Sequence, residues 1–131
     1  MNMQITEDYV SFEIAELFRE KGFDAECLGT YSTDDKELSI SSECPYSNDL
    51  NDDMFIAAPT LQMAMKWLRE VHKIDICVCR ELDDYGDCYD GYIAVVYSYK
   101  VYMDTIHDAV VDLSYEEVAE LAIKYCLTNI I

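Results

Sequence analysis

The side chains in this sequence that are best suited to chemistry are thiols and imidazoles. Cys77 and Cys79 are two residues apart, so both thiols share one face of an extended strand, and His72 and Cys88 are near enough in sequence to join them around zinc. The spacing of a zinc ribbon or finger is missing, however. Six cysteines without a C-x-x-C pair are more typical of small buried thiols in a reduced protein. We therefore predict no metal site and no cofactor.

Nucleophilic catalysis needs a histidine beside a cysteine. His72 falls on the buried side of a predicted helix, and His107 lies in a segment without a clear pattern. The sequence has no G-x-S-x-G, no H-E-x-x-H and no Gly-rich phosphate loop with Lys. The prediction is no catalytic residues and no enzyme, which a convergent group of His107, a cysteine and two carboxylates would reverse.

Two acidic segments could attract a hard cation. Asp49, Asn51 and Asp53 take the first, third and fifth positions of a calcium-loop pattern, but Met54 stands where that pattern needs Gly. The turn at 83–90 contains four Asp residues. Because Asp favours turns by bonding to its own backbone, solvated loops explain both segments without an ion.

An interaction surface is the more specific prediction. The sequence has eleven tyrosines, and tyrosine concentrates at protein interfaces because it combines a large contact area with a polar tip. Four of them crowd one predicted strand, a Met and the Trp flank a predicted helix, and two Ile end the sequence. The alternative is that the rest of the fold covers these groups. The predicted surface consists of Met63, Trp67, Tyr92, Tyr97, Tyr99, Tyr102, Ile130 and Ile131.

Three amphipathic segments predict the helices that would position these residues. Ser11 can cap the first helix, and Gly22 can end it so that Phe23 covers Phe18. Pro59 suits the first turn of the second helix, whose spacing predicts a buried face of Leu61, Ala64, Met65, Leu68, Val71 and His72. Opposite that face, Lys66, Arg69 and Lys73 form a positive stripe. The third helix starts at a Ser-x-x-Glu capping box, Ser114–Glu117, and is apolar around most of its circumference.

Alternating and β-branched runs predict two hairpins. The first pairs Cys27–Ser32 with Glu37–Ser41, and a short edge strand near Met54–Ala57 follows it. The second pairs Ile74–Leu82 with Tyr92–Tyr102, and 103–113 is either a loop or a further strand. The predicted fold is α+β: a single two-layer domain over residues 1–131, in the order helix-hairpin-helix-hairpin-helix, with an antiparallel sheet packed against three helices.

The net charge limits the partners. Twenty-seven Asp and Glu against nine Lys and Arg give −18, which repels nucleic acid phosphates and anionic membrane heads. The longest apolar run, Tyr92–Tyr97, is far below the roughly 20 residues that span a bilayer. Because Met1–Asp8 has neither a basic region nor an apolar block, we expect no signal peptide and a cytoplasmic location.

Three segments resemble small uncharacterised proteins of Bacteroides-type gut bacteria and their phages or mobile elements. They are VSFEIAELFREKGFD (10–24), APTLQMAMKWLREVHKI (58–74) and SYEEVAELAIKYCLTNII (114–131). The resemblance covers the predicted helices and not the acidic loops. It implies a bacterial cytoplasmic setting and a phage or mobile-element origin, and it assigns no functional residues.

Together these features favour a non-enzymatic protein that binds another protein or a second copy of itself, without direct nucleic acid or membrane binding. Homodimerisation through the last helix is one version. An alternative is an acidic decoy of the anti-restriction or other anti-defence type, whose carboxylates imitate DNA phosphates. That alternative needs a regular row of exposed acids. A small enzyme of unknown class is the third hypothesis.

Overall fold

The computed structural model describes residues 5–50, 52–82, 85–86, 88–98, 104–106 and 113–131. In these residues the protein is α+β, with three α-helices and two antiparallel sheets of three strands each. The predicted class is therefore confirmed, whereas the described residues form two sheets where one was predicted. The chain falls into two compact units, one ending at Met63 and the other beginning at Ala64. No described helix is long and apolar enough to cross a membrane.

Helix α1, Phe12–Glu20, begins and ends as its sequence predicts. The Ser11 Oγ accepts a hydrogen bond from the Ile14 backbone N–H at 3.3 Å. Gly22 has a φ of +86°, and Phe23 N donates to the Phe18 carbonyl at 2.9 Å. The Phe18 and Phe23 rings then meet edge to face at 5.2 Å between centroids. This C-terminal cap with its apolar contact fixes the direction of the chain after α1.

The first sheet comprises β1 (Gly29–Ser32), β2 (Leu38–Ile40) and β3 (Phe55–Ala58), in the order β2-β1-β3. The predicted first hairpin is confirmed, with Lys36 at a φ of 59° in its turn. The predicted edge strand is also present, one residue later than expected. Between β2 and β3 a short 3₁₀ turn spans Asn48–Leu50.

The inner face of this sheet packs against the segment that precedes α1. A Cβ on Gly29 would lie 2.7 Å from the Tyr9 ring, so the strand approaches that ring as closely as only glycine allows. The Tyr31 hydroxyl donates to the Val10 carbonyl at 2.6 Å, and its ring meets Phe12 at 5.6 Å. Tyr31 thereby connects the middle strand to both sides of the α1 start.

Helix α2, Leu61–His72, starts later than predicted. Thr60 is its capping residue, since its Oγ1 accepts from Met63 N at 3.2 Å, and Pro59 therefore lies outside the first turn. Leu61, Ala64, Met65 and Leu68 of the predicted face are buried, and the three basic side chains are exposed. Val71 is 55% exposed, against prediction, because spacing does not show how far along a helix its cover extends.

The second sheet comprises β4 (Asp75–Leu82), β5 (Cys88–Tyr97) and β6 (Asp104–Ile106), in the order β4-β5-β6. The second hairpin is confirmed, but β5 begins four residues before the predicted start and ends at Tyr97. The segment 103–113 was predicted as either a loop or a further strand, and β6 shows that part of it is a strand. The ladder is irregular between Arg80 and Leu82.

Helix α3, Tyr115–Tyr125, contacts all three strands of the second sheet. Its predicted cap is confirmed by a 3.1 Å hydrogen bond from Glu117 N to the Ser114 Oγ. The helix then widens into a π-helical turn over Cys126–Ile130, where Ile131 N donates to the Cys126 carbonyl at 3.1 Å. The buried residues of α3 and of this π-helical turn are Val118, Ala119, Ala122, Ile123, Cys126, Leu127 and Ile130.

Candidate functional site

A shallow apolar concavity of about 280 Å³ lies against the first sheet. Its lining comes from both faces, because Ile40 pairs with Gly29 and shares the face of that residue, whereas Leu28 and Phe55 belong to the opposite face. Three of its apolar side chains are unusually open to solvent: Leu28 is 45% exposed, Ile40 60% and Phe55 40%. We call these three residues the apolar sheet surface. Thr30, Ser39, Ser41, Cys44 and Tyr46 complete the lining.

Tyr46 holds the wall of this concavity in place. Its backbone exchanges two hydrogen bonds of 2.8 Å with Cys27, and its hydroxyl donates to the Phe55 carbonyl at 3.1 Å. The Tyr46 and Phe55 rings are 6.3 Å apart. Burial and the negative charge of Asp52 raise the pKa of Tyr46, which favours the protonated phenol that donates this hydrogen bond.

A second, polar cavity of about 330 Å³ shares Tyr46 and Phe55 with the first. Three aspartates and Arg19 surround it: Asp49, Asp52 and Asp53. The Asn48 side chain, also in its wall, is engaged by the fold, since it donates to the Phe23 carbonyl at 3.1 Å and accepts from Ala57 N at 3.0 Å. This cavity therefore has an acidic lining.

The two acidic segments that could attract a cation show turn chemistry where the structure describes them. The Asp52 carboxylate accepts from Met54 N at 2.9 Å, and Asp49 N donates to the Ser47 hydroxyl at 3.2 Å. The described residues do not include Asn51 of the first segment, nor 83–84 and 87 of the second. In the part of the chain that can be described, no three His, Cys, Asp or Glu side chains are placed to hold a metal ion.

The thiols divide into two groups. Cys27 and Cys126 are buried as predicted, but Cys44, Cys77 and Cys79 are exposed, so the expectation of burial is wrong for these three. On β4 the alternation of the strand turns Ile76 and Val78 inward and the two neighbouring thiols outward.

Cys77 and Cys79 are brought together as their spacing predicts. Partial burial raises the pKa of the Cys79 thiol, and the negative charge and hydrogen bonding of Cys77 raise it further. His72 instead packs edge to face on Trp67, with 4.8 Å between the ring centroids. The described residues do not include His107 or the side chain of Cys88.

The predicted interaction residues are dispersed. Trp67 is only 8% exposed and Ile130 5%, so these two cannot act as exposed anchors in this conformation; they belong to the core instead. Met63, Tyr92 and Ile131 are half-buried. Tyr97 is 44% exposed, while Tyr99 and Tyr102 lie outside the described residues.

Tyr92 and Tyr97 do not form one surface. They are five positions apart on β5, so their side chains point to opposite faces of the sheet. Tyr92 packs edge to face on Tyr115 at 5.8 Å, and the Arg80 guanidinium lies 4.8 Å from the Tyr92 ring. The described tyrosines of this strand therefore divide between helix packing and solvent.

No protein-family model matches this chain, and neither a curated protein nor a solved structure shows significant similarity to it.

Proposed function

We propose that this protein is a non-enzymatic binding protein whose partner is another protein. The observation that supports it is the apolar sheet surface, with Leu28, Ile40 and Phe55 exposed by 45%, 60% and 40% around one concavity. Clustered apolar side chains on an otherwise polar surface mark interaction sites, because covering them removes apolar area from water at roughly 25 cal/mol per Å². The apolar sheet surface thus replaces Trp67 and Ile130 as the proposed contact region.

Self-association through the last helix remains a version of this proposal. Leu121 of α3 is 41% exposed, on a helix whose other apolar residues are largely buried. A second copy packing on this helix would cover Leu121. Tyr97 and the half-buried Met63 and Ile131 are secondary candidates for the same kind of contact.

The finer predictions belong to the same proposal. They are the single two-layer domain in the order helix-hairpin-helix-hairpin-helix, the cytoplasmic location, and the phage or mobile-element origin implied by the resemblance. A cytoplasmic binding protein of such an element would act on proteins of its bacterial host.

The proposal is tested by affinity capture from a lysate of a Bacteroides-type bacterium, with matched variants. The variant Leu28→Ser/Ile40→Ser removes exposed apolar area from the apolar sheet surface, and Leu121→Ser removes a similar side chain elsewhere. We expect a partner that is retained at high salt, lost with the double variant and kept with Leu121→Ser. Far-ultraviolet circular dichroism confirms that both variants are folded.

Two other outcomes would redirect the proposal. A partner that is lost at high salt and insensitive to both variants would favour the acidic decoy, because screening weakens charge contacts and spares apolar ones. A protein that has twice the monomer mass in solution, and that becomes monomeric with Leu121→Ser, would favour the homodimer.

A further inference from the structure

Strand β2 offers open backbone groups at the edge of the first sheet. Ser41 N donates to the Leu28 carbonyl at 2.8 Å and Ser32 N to the Glu37 carbonyl at 3.2 Å, which fixes the ladder between β1 and β2. In such an antiparallel ladder alternate residues face the partner strand. The N–H and C=O groups of Leu38 and Ile40 therefore point away from β1, to the side where the described residues place no further strand.

The opposite edge of the same sheet is closed. The outward-facing Ala57 N–H of β3 donates to the Asn48 side chain at 3.0 Å, and the Phe55 carbonyl accepts from the Tyr46 hydroxyl at 3.1 Å. Side chains thus satisfy the groups that an added strand would use there. Among the described residues, the β2 edge alone leaves its outward backbone groups available to an added strand.

Side chains beside this edge fit an apolar residue of an incoming strand. Leu38 is 37% exposed and Ile40 60%, and Ile40 also lines the concavity of about 280 Å³. A strand added at β2 presents alternate side chains to the two faces of the sheet. Those on the face that Leu38 and Ile40 share would pack against these two side chains.

Negative charge around the β2 edge favours a basic partner. Residues 25–53 contain eight Asp and Glu and a single base, Lys36, whose ammonium lies 5.4 Å from the centre of the Phe12 ring. Asp34, Asp35 and Glu37 before the strand and Glu43 after it are all exposed. A second copy would bring the same acids together and repel, whereas lysine or arginine side chains would be attracted.

We propose that β2 binds an extended segment of a partner protein in which apolar and basic residues alternate, and that this segment adds a fourth strand to the first sheet. The inference rests on the proposed protein-binding function and names its mode and partner chemistry. Main-chain hydrogen bonds to Leu38 and Ile40 fix the register, the side chains of these two residues pack against the apolar ones of the segment, and the flanking carboxylates pair with the basic ones.

The test uses the full chain and a fluorescent peptide of alternating lysine and valine. We expect binding that weakens as salt rises and that shifts the amide NMR signals of Leu38 and Ile40. Ile40→Pro removes one outward N–H without breaking the β1 ladder, and should weaken binding about tenfold or more. The matched control Ile40→Val keeps that N–H and should bind within about twofold of the original.

A second peptide makes the test independent of the folding of the proline variant. Methylation of alternate backbone nitrogens of the lysine-valine peptide removes the donors that would face β2, and should abolish binding to the unaltered protein. Equal binding of the methylated peptide overturns strand addition. Equal binding of a glutamate-valine peptide overturns the charge argument.

The two proposals can fail separately. If the protein has twice the monomer mass in solution and Ile40→Pro makes it monomeric, the β2 edge binds a second copy, which overturns the basic partner. If the peptides fail but a lysate partner still depends on Leu28 and Ile40, the protein-binding function stands and strand addition falls.

Discussion

At the scale of single residues, burial separates reactive thiols from protected ones. Burial raises the pKa of Cys27 to about 11 and that of Cys126 to about 12, so both carry almost no thiolate at neutral pH. Cys44 and Cys77 are exposed. We therefore expect iodoacetamide at pH 8 to label Cys44 and Cys77 first and to leave Cys27 and Cys126 unmodified in the folded protein. Peptide mass spectrometry measures the order.

The same thiols predict a loss of stability in alkali. Since the pKa of Cys27 is raised from 9.0 to about 11 in the folded state, the unfolded state loses its proton first as pH rises. The free energy of unfolding should fall between pH 9 and about 11, by up to about 1.4 kcal/mol per pH unit for each thiol. Urea titrations of the original and of Cys27→Ala measure it, and an equally steep fall without the thiol would contradict the assignment.

Gly29 is the residue whose replacement should disturb the first sheet most directly. A Cβ there would lie 2.7 Å from the Tyr9 ring and 2.9 Å from the Ala58 carbonyl oxygen, and backbone cannot move aside as a side chain can. We expect Gly29→Ala to lower the free energy of unfolding by about 1–3 kcal/mol, measured by urea denaturation. Adding Tyr9→Leu should recover only part of the loss, because the clash with the carbonyl remains.

Gly22 supplies the control for a glycine replaced without a clash. It has a φ of +86°, and no atom lies within 4 Å of the position that a Cβ would take, so only backbone strain opposes a side chain. Gly22→Ala should cost about 1 kcal/mol, and adding Tyr9→Leu should leave that cost unchanged. A recovery at Gly22 as large as at Gly29 would contradict the steric account.

At the scale of elements, the cap of α3 can be tested alone. The Ser114 Oγ accepts from Glu117 N at 3.1 Å, which satisfies one of the free amides of the first turn. Ser114→Ala should lower the free energy of unfolding by about 1 kcal/mol, whereas Ser114→Asp, another good cap, should change it by a few tenths at most. Chemical denaturation followed by circular dichroism makes the comparison, and equal effects would contradict a capping role.

Helix ends are the most predictable elements because their signals are local. Ser11, Gly22 and Ser114 act within four residues of the groups they cap, so the sequence alone places them. The second helix shows the limit of this reasoning, since the sequence predicts Pro59 in its first turn. In the structure Thr60 is the cap, because its hydroxyl accepts from Met63 N at 3.2 Å.

The candidate site is less predictable because it depends on pairs of distant residues. The sequence predicts the first hairpin and its edge strand, yet it does not show that Asn48 and Tyr46 close the β3 edge while the described residues leave that of β2 open. Likewise, the spacing predicts Trp67 on a helix flank, and only the fold shows that it is 8% exposed. Alternation shows which side chains share a face; it does not show which face is covered.

At the scale of the whole molecule, a net charge of −18 on 131 residues opposes compactness. Two like charges 10 Å apart in water repel by about 0.4 kcal/mol, and the screening length falls from about 30 Å at 0.01 M salt to about 8 Å at 0.15 M. Raising NaCl over this range should therefore raise the melting temperature, as measured by scanning calorimetry. A melting temperature that falls with salt would mean that attractive pairs outweigh the repulsion.

Charge variants separate screening from other effects of salt. Glu43→Gln removes an exposed negative charge beside β2 and should raise the melting temperature at low salt, whereas Lys66→Gln removes an exposed positive charge from α2 and should lower it. Both differences should shrink at high salt, because screening acts on the repulsion that each variant changes. Shifts of the same sign in both variants would instead assign the effect to local contacts. Opposite signs would assign the effect to repulsion among the acidic side chains of the whole protein.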